Sequence, residues 1–136
     1  MCGFIGKISS SSHDIENLYK ANETILCRGP DSTKNISTNV DGYDVSLIFN
    51  RLSIIDLNEN ADQPMTSSDQ NYILMFNGEI YNHQELRKSL EKQVQFRTSH
   101  SDSEVVLNGL ITQGISFVNK LRGQFSIFFL NKKENT

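Results

Sequence analysis

The stretch MCGFIGKI, residues 1–8, opens the chain and governs how the rest is read. A cysteine directly behind the initiator methionine has a chemical option closed to cysteines elsewhere. Removal of Met1 leaves Cys2 at the N-terminus, with a thiol and a free α-amino group on one residue. The plainer reading of Cys2 is a small, half-buried hydrophobe at the start of a strand. The segments downstream decide between the two.

A chain of 136 residues suits one domain with a real hydrophobic core. Apolar residues make up 37%, and the mean hydropathy of −0.41 belongs to an ordinary soluble composition. The net charge of −3, with no basic stripe or polybasic tail, offers nothing to nucleic acid or to an anionic membrane. No apolar run reaches the length of a membrane span, since SIFFL is only strand-sized. The opening residues lack the continuous apolar core of a secretory signal. Cys2 and Cys27 are too few and too far apart for a disulfide framework or a zinc motif, so a reducing cytoplasm is expected.

Farther along, a polar SSSSHD loop precedes a helical pattern from Asp14, with Ile15, Leu18, Tyr19, Ile25 and Leu26 on one face. Gly29-Pro30 breaks it. YDVSLIFNRLSIIDL reads as a strand with a kink near Asn50-Arg51, and YILMF as another that enters NGEIYN. Asn82 with Glu85, and Ser101 with Glu104, have capping-box spacing and predict two helix starts. Val106, Leu107, Leu110 and Ile111 continue the second of these until Gly114. GQFSIFFL is the last strand. Strands and helices mix without regular alternation, so the expected class is α+β.

Three segments have residue types suited to chemistry. In FNGEIYN, Asn77-Gly78 reads as a hairpin turn from pattern alone. It also offers an amide side chain beside a glycine N–H, two donors able to meet on the oxyanion of a tetrahedral acyl intermediate. Arg51 in NRLSIID is either a snorkelling edge residue or a bidentate clamp for a carboxylate. Asp102 in HSDSEVV either compensates a helix N-terminus or pairs with a substrate ammonium. The arginine and the aspartate together would hold a free α-amino acid, on whose side chain Cys2 and Asn77-Gly78 would act. His13, His83 and His100 lie in polar contexts, and none suits the role of base to Cys2. A processed N-terminus supplies one, because an α-amino group titrates at about 7.7–8.0.

In this order, MCGFIG, CRGPDS, NRLSIIDL, NGEIYNHQEL and SDSEVV resemble the glutaminase domain of class II glutamine amidotransferases, in the branch of glutamine-hydrolysing asparagine synthetases. That branch includes relatives that aminate sugars in surface polysaccharide synthesis. The resemblance implies an Ntn-hydrolase-type αββα sandwich of two mainly antiparallel sheets between helical layers. Residues 1–136 would form the glutaminase domain without its final strands or a synthetase domain. By matching position, Cys2 would be the nucleophile, and Asn77 with the Gly78 N–H would form the oxyanion hole. Arg51 would bind the glutamine α-carboxylate, and Leu52, Ile54 and Ile55 would line the site. Glu79 and Asp102 would hold the α-amino end. Arg28, Gly29, Pro30 and Asp31 form a motif loop near the site, without an assigned step.

The resemblance further implies glutamine as substrate, a synthetase domain in cis or trans, and no cofactor or metal in this chain. ATP and Mg belong to the synthetase domain of full-length relatives. The acceptor of ammonia, aspartate or a sugar acid, stays open, as does a homodimer. Phe49 stands where family members often have histidine. The chain ends at Thr136, before motifs with which the family continues, so an apolar edge is expected at Phe125–Leu130. A non-catalytic remnant that only binds glutamine is the alternative. An N-terminal-nucleophile amidase acting on another amide is a third reading.

Overall fold

Alternation of apolar side chains builds the molecule around two central strands. In the computed structural model, which describes residues 2–10, 15–53 and 59–136, six strands form two antiparallel sheets. β1 (Gly3–Ser9) and β2 (Ser32–Val40) flank β3 (Tyr43–Arg51). β4 (Met65–Thr66) and β6 (Gly123–Asn131) flank β5 (Tyr72–Ile80). Side chains on a strand leave its two faces in turn. Val45, Leu47 and Phe49 of β3 therefore meet Ile73 and Met75 of β5 in one core between the sheets. Leu74, Phe76 and Ile80 leave the opposite face of β5. They form a second core with helices α2 (His83–Leu90) and α3 (Asp102–Gln113). Helix α1 (Ile15–Glu23) packs on β1 of the other sheet. The order helix, sheet, sheet, helices is the α+β sandwich expected from the sequence.

Several local expectations need correction. Helix α1 ends at Glu23, and Leu26 lies in a separate 3-10 turn, Leu26–Arg28. Leu18 and Asn22 are the buried positions of α1, whereas Ile15, Tyr19 and Leu26 are exposed. Asp14 and His13 lie outside the described residues. Both capping boxes fail, although both helices begin where expected. Asn82 instead reaches across to the segment just before β6, with its Nδ2 donating to Lys120 O and its Oδ1 accepting from Arg122 N, each at 3.0 Å. Glu104 is buried and accepts from Arg97 N and Thr98 N at 2.8 Å, which ties down the loop before α3. In both cases a partner outside the helix outcompetes the capping one. Gly114 does end α3, with φ 66°. β2 went unforeseen because STKNISTNV is polar, and only Val40 is buried along it.

Candidate active site

The same alternation that fills the inter-sheet core creates a polar site where that core runs out. Continuing β3 past Val45, Leu47 and Phe49 places Arg51 on the inner face. Continuing β5 past Ile73 and Met75 places Asn77 and then Glu79 there. Gly3 pairs with Asn50, and Cys2, just before β1, comes to the same cavity as Arg51. One cavity of about 180 Å³ results, and Cys2, Arg51, Leu52, Asn77, Gly78, Glu79 and Asp102 all line it. Ile54 and Ile55 lie outside the described residues. None of the described histidines lines the cavity.

Cys2 is half-buried, as the plain reading of a core-edge cysteine expects, yet its sulfur is also held by backbone. Its Sγ accepts from Leu52 N at 3.2 Å and lies 3.6 Å from Leu52 O. Arg28 Nε donates to the Cys2 carbonyl at 3.1 Å. Asp31 completes the brace, its N–H donating to Arg51 O at 3.1 Å and its Oδ2 accepting from Ser53 N at 2.7 Å. Gly29 lets this loop lie flat on β3, because a Cβ there would overlap the Asn50 carbonyl. The CRGPDS motif thus positions both Cys2 and the segment carrying Arg51. Behind it, Asn50 and Asn22 exchange side-chain amide bonds of 2.7 and 3.3 Å, joining α1 to β3.

Asn77-Gly78 is not a hairpin turn; both residues lie within β5, paired with Ser126 and Phe125 of β6. A Cβ at Gly78 would overlap the Gln124 carbonyl, so the glycine is required by close strand approach. Asp102 opens α3 and is buried, with its Oδ2 accepting from Ile80 N at 3.1 Å. Burial raises its pKa above the ordinary carboxylate range; the Ile80 N–H opposes this, and the nearby Glu79 charge adds to the rise. A cation entering the cavity would relieve both carboxylates.

Ala61, Gln63, Phe76, Ser101, Ser103 and Gln124 also line the cavity, and sequence reasoning missed them. Gln63 is the most informative of these. Its side-chain amide accepts from Phe76 N at 2.5 Å and donates to Phe76 O at 3.0 Å and to Ser103 Oγ at 3.2 Å. A side chain thereby takes over the pairing of β5 where the two-residue β4 no longer reaches. Its only sequence signal was a Gln-Pro pair inside a polar loop, joined by a cis peptide.

The chain matches known proteins along its whole length. The family described as "Glutamine amidotransferase domain" matches residues 1–136. The chain is 40% identical to asparagine synthetase [glutamine-hydrolyzing] 1 of Bacillus subtilis, over 99% of this chain and 21% of that protein. It is 36% identical to asparagine synthetase [glutamine-hydrolyzing] 1 of Arabidopsis thaliana, over 100% of this chain and 23% of that one. The amidase chyE of Penicillium rubens is 33% identical over 93% of this chain and 20% of its own length. Among solved structures, the glutamine phosphoribosylpyrophosphate amidotransferase of B. subtilis superposes with a TM-score of 0.71 over 97% of this chain and 35% of its own. At 17% identity that likeness concerns the fold alone. The chain spans about a fifth of the length of these curated relatives.

Proposed function

The chain belongs to the glutamine amidotransferase domain family, and from that premise we propose that it hydrolyses glutamine to glutamate and ammonia through an N-terminal Cys2. One observation carries the reading: the thiol, an arginine, an amide-glycine pair and two carboxylates, brought from distant parts of the sequence, line a single cavity. Once Met1 is removed, the α-amino group of Cys2 takes the thiol proton, directly or through one water. The sulfur attacks the side-chain carbonyl carbon of glutamine. Asn77 Nδ2 and the Gly78 N–H stabilise the oxyanion. Collapse returns the proton to the departing nitrogen, which leaves as ammonia, and a γ-glutamyl thioester remains. Water then attacks the thioester, glutamate departs, and the thiol is restored.

Arg51 holds the substrate α-carboxylate, while Glu79 and Asp102 receive its α-ammonium. Leu52 lines the wall beside Arg51. In this reading residues 1–136 act as a glutaminase domain in the cytoplasm. They deliver ammonia to a synthetase domain, in cis or trans, that uses ATP and Mg to activate aspartate or a sugar acid. Replacing Cys2 with alanine is expected to abolish glutamate release from glutamine by the processed chain. Retained activity would overturn the assignment.

A further inference from the structure

The arginine of this site has a charged partner within its own chain. Arg51 is only 8% exposed, and its Nη1 donates to Oδ1 of Asp62. The other carboxylate oxygen, Oδ2, lies 2.6 Å from Nζ of Lys34. Lys34 pairs with Phe49, so it leaves β2 on the same face as Arg51. An internal carboxylate on a substrate-binding guanidinium either competes with the substrate or orients the guanidinium for it. Position separates the two. Arg51, Ala61 and Gln63 line the cavity, whereas Asp62, between the last two, does not. The carboxylate therefore approaches from outside the cavity wall.

Charge points the same way. An arginine neutralised by one aspartate attracts an anion weakly. Lys34 shares the charge of Asp62, so Asp62 does not act on Arg51 alone. The lysine side chain is 49% exposed, so its ammonium needs little desolvation to serve here.

We propose that Asp62, held in turn by Lys34, is the positioning residue that fixes Arg51 for the α-carboxylate of the substrate. The inference rests on the glutaminase reading and names which residues set its affinity for a free amino acid. The test is an NMR titration of the Cys2→Ala chain with L-glutamine and with L-glutamine α-amide, which keeps the amine and side chain but lacks the carboxylate. Asp62→Ala is expected to raise the Kd for glutamine about tenfold or more, while the Kd for the α-amide stays within about twofold. Asp62→Asn retains an oxygen acceptor for Nη1 and is expected to recover most of the loss. Lys34→Met, on the exposed side of the cluster, is expected to weaken glutamine about threefold and serves if Asp62→Ala does not fold. An unchanged glutamine Kd, or equal losses for both ligands, overturns the positioning role. If the Cys2→Ala parent binds neither ligand, the glutaminase reading itself falls, and this inference with it.

Discussion

Asp102, proposed to receive the substrate ammonium, also bears on stability. Its carboxylate is buried beside Glu79, and burial is the main cause of its raised pKa. A carboxyl group whose folded pKa exceeds its unfolded value favours the fold at low pH. That contribution is complete below the ordinary carboxylate range and is lost as pH rises through the folded value. Asp102→Asn keeps an oxygen for the Ile80 N–H but needs no ionisation. It is expected to raise Tm at pH 7 by about 3 °C, the shift that about 1 kcal/mol gives in a domain of this size, with no gain at pH 3. Glutamine affinity should fall in the same variant. Thermal melts at the two pH values check the first part, and a titration with glutamine checks the second.

Among the elements, β5 matters most, because its two faces do different work. One face supplies Leu74, Phe76 and Ile80 to the helical core, and the other runs from Ile73 and Met75 into Asn77 and Glu79. Its outer edge is covered by β4 only at Ile73 and Leu74, and by the Gln63 amide at Phe76. Gln63→Ala strands a buried N–H and a buried carbonyl immediately before Asn77-Gly78, the pair proposed to hold the oxyanion. The expected loss of stability is about 2 kcal/mol in urea. Glutaminase kcat is expected to fall more than KM rises, because Phe76 directly precedes the Asn77-Gly78 pair proposed to hold the oxyanion. An unchanged kcat with the same stability loss would confine Gln63 to a structural part.

At the scale of the whole molecule, the second sheet ends in a strand with few defences. Among the described residues, β6 pairs only with β5. Its sequence GQFSIFFLN contains no charge and no proline. Phe125, Ile127 and Phe129 face a groove of about 760 Å³ bounded by α3 and the 3-10 segment Gly114–Lys120. There Ile115 is 81% exposed. An uncharged edge beside an apolar groove is a template for strand addition. The 136-residue chain alone is expected to self-associate with rising concentration in sedimentation velocity. Ile127→Lys, which puts a charge into the groove, is expected to hold it monomeric. Concentration-independent sedimentation of the parent chain would remove this expectation.

The amino-acid sequence by itself determined the fold class, the central strands and most of the polar residues that meet in the cavity. Those features are local: period-two alternation in β3 and β5, a glycine stop after α3, and short motifs whose residue types suit one reaction. It also placed both helix starts, but for a reason that did not hold. Asn82 found partners far along the chain and Glu104 found them in the loop before its helix, and capping-box spacing reports neither. Tertiary structure alone decided that Asn77-Gly78 continues a strand, since the evidence against a turn is β6 lying alongside. It alone gave CRGPDS its bracing part, Gln63 its place in the sheet and Asp62 its hold on Arg51. Each of these is a polar contact between segments distant in sequence. Such contacts depend on where backbones stop, and hydrophobic pattern specifies only which way side chains face.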